Sequence, residues 1–259
     1  MNRKRAWFPL FAVFFCLGVA ARGDEWGAIK GRLVFKGDPP APAPLQIPPG
    51  QFPVGVPQPV AEDLLVDPKT NGIANVVVFV RGKDVKVNPQ VDAAARAKPV
   101  ALTARNMRFA PHVVIVQTGQ NLQVTNGDPC DHNLNVGSYR NPASNHLLPA
   151  GGQPALEKFA VEEAVPVRVT DNLYPWMGAW VVVPPTPYAA VTKPDGSFEI
   201  PAVPVGEVEM QLWHEKTGPL AGAATALGKS DAKGRLKVEV KAAGTDLGNV
   251  TIAPDALRR

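Results

Sequence analysis

Residues 109–133 read FAPHVVIVQTGQNLQVTNGDPCDHN, and this stretch decides the fold class. It holds two runs typical of β-strands, at 108–116 and 121–125, separated by the turn residue Gly119. The second run leads through an Asn-Gly-Asp sequence to the pair His132-Asn133. The stretch therefore predicts two successive strands that bring a histidine to the end of a sheet.

The rest of the chain follows the same pattern. Residues 27–36 alternate, with Ile29, Leu33 and Phe35 on one face, as in a half-buried strand. Residues 73–80 form a continuous valine-rich run, which predicts a strand covered on both faces. Glycine (23) and proline (28) are too frequent for a helical bundle, and only 91–97 is typical of a helix. We therefore predict an all-β protein with further strands at 165–170, 178–183, 197–200, 207–213, 235–241 and 249–252.

The N-terminus has the features of an export signal. Residues 1–5 are basic, 6–20 are mostly apolar, and Ala21 and Gly23 fit a cleavage site, so we assign 1–23 as a signal peptide. Four basic residues lie there, and they account for the whole net charge of +4. The remaining chain is neutral and has no apolar run long enough to cross a membrane, so we expect a periplasmic or secreted protein that binds no nucleic acid. Cys130 then stands alone and cannot form an internal disulfide.

Two sequence blocks carry a family resemblance. The block 109–133 is similar to the first half of a cupredoxin, in which the His-Asn histidine is a copper ligand. The block Asp171-Asn-Leu-Tyr-Pro-Trp-Met177 is similar to the cupredoxin loop Cys-x-x-His-Pro-Trp-Met. From about 26 to 254 the order of motifs resembles exported bacterial proteins labelled methylamine-utilisation-like. These combine a cupredoxin-like domain with a carboxypeptidase-regulatory-like, or carbohydrate-binding-like, sandwich.

The resemblance implies a division of the chain. We expect a cupredoxin-like Greek-key β-sandwich at 24–185 and a smaller transthyretin-like, carbohydrate-binding-like β-sandwich at 186–259, because Pro184-Pro185-Thr186-Pro187 interrupts the strand pattern. Residues 38–59 hold nine prolines. They form either a polyproline ligand or spacer, or a loop that wraps the sandwich, and we favour the loop.

The resemblance also implies that the copper site is degenerate. Asp171 occupies the family cysteine position and Tyr174 the second histidine position, which leaves His132 and Met177. A carboxylate cannot replace the thiolate of a type 1 copper site, and a neutral tyrosine is a poor ligand. Type 1 copper is therefore expected to be lost, and no cofactor is expected. The alternative is a rebuilt copper site, because Cys130 and His132 lie on one side of an extended segment.

Three functions remain open from the sequence. We favour an exported, non-catalytic binding or scaffold protein, since the chain has neither a Gly-x-Ser-x-Gly nor a His-Glu-x-x-His motif. The second is a periplasmic copper carrier or copper handler that uses Cys130, His132 and Met177. The third is a carbohydrate-interacting module, with a glycan surface on the C-terminal sandwich. Trp213-His214-Glu215 could contact a sugar there, but we favour a packing role for these residues at a strand end. A protein partner could dock on an apolar patch at the loop Tyr174–Met177.

Overall fold

The protein is nearly all β-structure and is built from β-sandwiches. The structure, a computed structural model, describes residues 25–48, 50, 52, 56, 58–82 and 84–258. The expected signal peptide, 1–23, lies outside these residues. Within them, no helix combines the length and apolar character needed to cross a bilayer.

The elements follow one another along the chain in three groups. The first group comprises β1 (Trp26–Phe35) and β2 (Val77–Val80). The second comprises α1 (Pro89–Arg96), β3 (Val100–Arg105), β4 (Arg108–Ala110), β5 (Val113–Ile115), β6 (Asn121–Asn126), β7 (His132–Val136), β8 (Ser144–Leu148), β9 (Ala155–Lys158), β10 (Val167–Thr170) and β11 (Gly178–Val182). The third comprises β12 (Ala189–Val191), β13 (Ser197–Pro204), β14 (Gly206–His214), β15 (Gly218–Pro219), β16 (Ala224–Thr225), β17 (Gly228–Lys229), β18 (Arg235–Val240), β19 (Thr245–Ile252) and a 3₁₀ helix (Pro254–Leu257).

The first and third groups form one sandwich, here called the outer sandwich. One of its sheets has the order β13-β1-β19-β16-β17, and the other has the order β12-β2-β14-β15 with β18 also on β14. The expected division at 185/186 is therefore corrected, because β1 and β2 pair with strands of the C-terminal part. Their apolar faces join the C-terminal core, in which Ile29, Leu33 and Val78 are fully buried.

The second group forms a unit inserted between β2 and β12, here called the inserted unit. Its two sheets have the orders β4-β3-β6-β9 and β5-β11-β10-β7-β8, and they enclose a core of their own. The strand expected at 108–116 is split into β4 and β5, which belong to different sheets. The break falls at Pro111, whose ring fixes φ and which has no N–H to donate to a ladder.

The valine run predicted to be covered on both faces is the joint between the two units. Val78 and Val80 enter the core of the outer sandwich. On the opposite face of β2, Val77 packs with Val113 and Val182 of the inserted unit. The continuous hydrophobic run thus has a direct cause: each face of the strand meets a different unit.

The Pro-rich segment folds back on itself, as far as it is described. Pro44 pairs with Val60 in an isolated antiparallel bridge. The Phe52 side chain packs against the core of the inserted unit. These contacts favour a wrapping loop over a free polyproline spacer.

The predicted turn at 193–196 depends on a glycine at its last position. Gly196 has φ of 80°, and a Cβ there would lie 2.2 Å from the Leu33 carbonyl oxygen. The Leu33 amide also donates to the Gly196 carbonyl at 2.9 Å. The turn therefore needs both a positive φ and the absence of a side chain.

We predict that Gly196→Ala lowers the free energy of unfolding by about 3 kcal/mol or more, because conformational strain and a backbone clash add. The control is Gly222→Ala. Gly222 has φ of 71°, but a Cβ added there would have no atom within 4 Å. The substitution should therefore lower the free energy of unfolding by only about 1 kcal/mol. Urea unfolding of both variants measures the difference, and equal losses would contradict the close approach.

Candidate functional site

The expected site residues His132 and Asp171 lie in direct contact. His132 begins β7, and Asp171 directly follows β10, the strand paired with β7. His132 Nδ1 lies 2.8 Å from Asp171 Oδ2, and both side chains are fully buried. The strand pairing of the inserted unit thus joins the histidine to the aspartate that the sequence resemblance aligns with a cysteine.

The other ring nitrogen of His132 meets a second carboxylate. Its Nε2 lies 3.0 Å from Asp128 Oδ2, in the connection between β6 and β7. Asp128 also accepts from the amides of Asn106 at 2.6 Å and Met107 at 2.9 Å, in the β3–β4 turn. The sequence reasoning missed Asp128 as a partner, although it stands in the quoted Asn-Gly-Asp sequence four residues before His132.

The two carboxylates favour the protonated form of His132. Burial by itself would lower the pKa of His132. Its hydrogen bonds to Asp171 and Asp128, and then their charges, outweigh that effect and raise the pKa above its ordinary value. Both ring nitrogens of the imidazolium therefore donate, and neither has a lone pair for a metal. We call Asp128, His132 and Asp171 the His132 bridge.

Asp171 also shapes the loop that follows it. Its Oδ1 accepts from the amides of Leu173 at 2.8 Å and Tyr174 at 3.2 Å. The Met177 amide donates to the Tyr174 carbonyl at 2.9 Å, which closes the turn. The edge contact between the Tyr174 and His132 rings, 5.2 Å between centroids, covers the His132 bridge.

Cys130 lies beside this bridge and contacts a methionine that the sequence reasoning missed. Its Sγ lies 3.8 Å from His132 Nε2 and 3.9 Å from Met107 Sδ. A hydrogen bond to Cys130, together with burial, raises the pKa of Tyr174 to about 12. Tyr174 is therefore a neutral phenol at physiological pH. No signal in the sequence points to Met107, because it comes from the β3–β4 turn.

The apolar patch expected on the loop Tyr174–Met177 is smaller than predicted. Met177 is buried in the core of the inserted unit, and Tyr174 and Trp176 are half-buried against it. Leu173, just before this loop, is 52 % exposed. Within the described ranges, no three His, Cys, Asp and Glu side chains are arranged to hold a metal ion.

The residues expected to form a glycan surface lie at the joint between the units. Trp213 and His214 are buried, and the Trp213 ring packs against Trp180 of the inserted unit at 5.1 Å between centroids. Glu215 accepts from Trp180 Nε1 at 2.8 Å and contacts His112 Nε2 at 2.5 Å. The inserted unit covers these residues, which agrees with the favoured packing role rather than with an exposed sugar contact.

His112 also lies between two carboxylates, but only its Nε2 is hydrogen-bonded to one of them. Its Nε2 contacts Glu215 of the outer sandwich, and its Nδ1 lies 3.5 Å from Glu62 Oε2. Burial opposes protonation, but the bond and charge of Glu215 and the charge of Glu62 raise the pKa of His112. The neighbouring His214 has no such partner, and burial lowers its pKa to about 4. The protonated form is thus favoured at His112 and disfavoured at His214.

No protein-family model matches the chain, and no curated protein matches it. Parts of the chain are similar to cupredoxins of known structure. Amicyanin from Paracoccus versutus is 16 % identical, with a TM-score of 0.29 over 41 % of this chain and 96 % of its own. A purple cupredoxin from Nitrosopumilus maritimus is 18 % identical, with a TM-score of 0.28 over 32 % and 98 %. A Cu-containing nitrite reductase from Thermus scotoductus SA-01 is 18 % identical, with a TM-score of 0.27 over 33 % of this chain and only 22 % of its own.

We predict that Asp171→Asn lowers the free energy of unfolding by about 3–5 kcal/mol, because it leaves a buried imidazolium with one carboxylate fewer. Asp131→Asn is the matched control. Asp131 is exposed and accepts a hydrogen bond from the Ala150 amide at 2.9 Å. Its substitution should therefore lower the free energy of unfolding by no more than about 1 kcal/mol. Urea unfolding at pH 6 compares the two, and a cost for Asp171→Asn no larger than the control would contradict a charged bridge.

We predict that Glu215→Gln destabilises the protein by about 1–3 kcal/mol at pH 6, because the charge facing His112 is removed. A raised pKa contributes stability that is complete below the ordinary value near 6.5 and is lost as pH rises through the folded-state pKa. The difference in unfolding free energy between Glu215→Gln and the unaltered protein should therefore become smaller at higher pH.

The control for this change is Glu207→Gln, on β14, the strand that Glu215 directly follows. Glu207 pairs with Lys237 at 2.8 Å in an exposed position, and its loss should cost less than about 1 kcal/mol. Unfolding midpoints measured from pH 5 to 9 test both variants. A Glu215→Gln deficit that stays constant over this range, or widens with pH, would show that His112 is not charged.

Proposed function

We propose that this chain is an exported, non-catalytic binding or scaffold protein whose inserted unit is a cupredoxin-type frame without type 1 copper. The observation that supports this most directly is the His132 bridge. The histidine that the resemblance assigns to copper has both ring nitrogens hydrogen-bonded to carboxylates.

The residues at this end of the inserted unit do not fit a type 1 copper site. Such a site needs a thiolate and two imidazole lone pairs in a plane, with a weak thioether ligand. Asp171 has a hard oxygen in place of the thiolate, and that oxygen is already bonded to His132. Tyr174 has no imidazole nitrogen, and with a pKa of about 12 it supplies no phenolate oxygen as a ligand. The same side chains instead satisfy one another, which suits a rigid scaffold.

Export is supported by the sequence of the first 23 residues. The basic start, the apolar stretch and the small residues before Asp24 fit a cleaved signal. Cys130 is free in the structure, so the fold depends on its two apolar cores rather than on a disulfide. We place the protein in the periplasm or outside the cell.

The test is copper loading of the purified protein beside the double variant Asp171→Cys, Tyr174→His. We expect the unaltered protein to show no intense visible thiolate-to-copper band, and the double variant to acquire one, because it restores the family donor set. The single variant Tyr174→His, which lacks the new thiolate, is the matched control and should stay colourless. A blue unaltered protein would overturn the loss of the site, and a folded but colourless double variant would overturn the cupredoxin-type ancestry.

A second candidate is a copper handler, favoured by the cluster of Cys130, Met107 and His132. A thiolate, a thioether and an imidazole are the donors that select Cu(I), and here Met107 rather than the expected Met177 contacts Cys130. Binding would require His132 to release a proton and to leave Asp128.

The variants Cys130→Ala and Met107→Leu test the copper handler by Cu(I) competition with a chromogenic chelator. The copper handler is supported if the unaltered protein takes up one equivalent and each variant loses it. It is excluded if the unaltered protein and the variants give identical titrations. Met177→Leu separates the two methionines, since only the rebuilt site with Met177 predicts that this change matters.

A further inference from the structure

A cavity lies at the joint between the inserted unit and the outer sandwich, away from the His132 bridge. Its volume is about 310 Å³, and it opens between the β10–β11 face, the segment 60–63 and the end of β14. This volume is within the range of small-molecule sites, which form preferentially where two structural units meet. Nothing in the proposed scaffold role accounts for it.

The walls combine flat aromatic rings with charged groups. Trp176, from the loop before β11, and Trp180, on β11, line the cavity. Among the acids that line it, Glu62 pairs with Arg108 at 3.4 Å, and Glu215 is bonded to His112 and Trp180. Asp63 is paired with Lys216. Each acidic group of the wall therefore already has a hydrogen-bond or ion-pair partner in the protein.

Arg168 is the exception among the charged groups of the wall. Within the described part of the chain, its guanidinium has no carboxylate partner, and it lies 5.9 Å from the centre of the Trp180 ring. Arg168 and Trp180 are direct partners in the β10–β11 pairing, which fixes their positions relative to each other. The cavity therefore offers a planar five-donor cation beside an aromatic surface.

We propose that this cavity binds a small organic acid built on a ring, with its carboxylate on Arg168 and its ring against the tryptophans. A guanidinium pairs with a carboxylate through two parallel N–H···O bonds, and the face of an indole accepts a sugar ring or an aromatic ring. A cationic ligand would meet no unpaired carboxylate, and a neutral one would leave Arg168 without an anion. The proposal rests on the binding role proposed above and names the ligand class for it.

Calorimetric titration of the purified protein in the presence of EDTA tests this inference. The probes are two ring acids, D-glucuronate and benzoate, and their neutral counterparts, D-glucose and benzyl alcohol. The two acids distinguish a sugar acid from an aromatic acid as the source of the shared chemistry. EDTA keeps the result independent of copper, so a blue copper site would refute the scaffold proposal without changing this titration.

We expect saturable binding of at least one acid, with an affinity at least tenfold higher than that of its neutral counterpart. Arg168→Gln should weaken this binding about tenfold or more, the effect of losing a charged hydrogen-bond partner. Arg168→Lys, which keeps the charge but not the paired donors, should bind with intermediate affinity. Arg105→Gln, an exposed arginine at the end of β3, is the matched control and should bind normally.

The inference is overturned if the folded protein binds neither acid saturably. It is also overturned if neutral and acidic probes bind equally, or if Arg168→Gln binds as tightly as Arg105→Gln. Circular dichroism of each variant confirms folding before titration. Arg168 is exposed on its strand, so both substitutions should leave the core intact.

Discussion

The buried imidazolium of His132 is the constraint on which this end of the inserted unit depends. Transfer of a charged ring and two carboxylates out of water costs several kcal/mol per ion, and only close pairing offsets that cost. The Asp128 and Asp171 oxygens provide it at 3.0 and 2.8 Å. These carboxylates also accept hydrogen bonds from backbone amides of the β3–β4 turn and of the loop after β10. One protonated side chain thus holds both sheets of the inserted unit together at this end.

The joint between the units uses the same chemistry a second time. His112 lies between Glu62 and Glu215, which come from the N-terminal segment and the outer sandwich. Next to it along the chain, Val113 packs with Val77 and Val182 in the apolar cluster of the joint. The contrast with His214 is informative, because the pKa values of these two histidines shift in opposite directions, set by whether carboxylates reach the ring.

Local patterns predicted the strands better than their partners. The alternation of β1 and the two-sided burial of β2 followed from residue period alone. Their pairing with C-terminal strands did not, because it joins residues far apart in sequence, and nothing local in residues 26–80 specifies that an inserted unit interrupts the sheet. Pro111 was visible in the sequence, yet its effect, a change of sheet between β4 and β5, required the fold around it.

The site was predicted in the same partial way. The resemblance named His132, Asp171, Tyr174 and Met177, and spacing added Cys130. The resemblance did not show that Asp171 bonds to His132. A departure from a motif indicates which ligand is lost, but not which interaction replaces it. Asp128 and Met107 come from turns, whose side-chain directions have no sequence period. Trp213-His214-Glu215 fitted either packing or a sugar contact, because burial by another unit leaves no mark on the sequence of a strand end.

The most direct measurement of this account is the protonation state of the His132 ring. Long-range ¹H–¹⁵N correlation of the purified protein at pH 7 reports each ring nitrogen separately. If the His132 bridge is charged, Nδ1 and Nε2 both carry a proton, and added copper leaves their signals unchanged. A deprotonated nitrogen on His132, or loss of its signals with one equivalent of copper, would contradict the account.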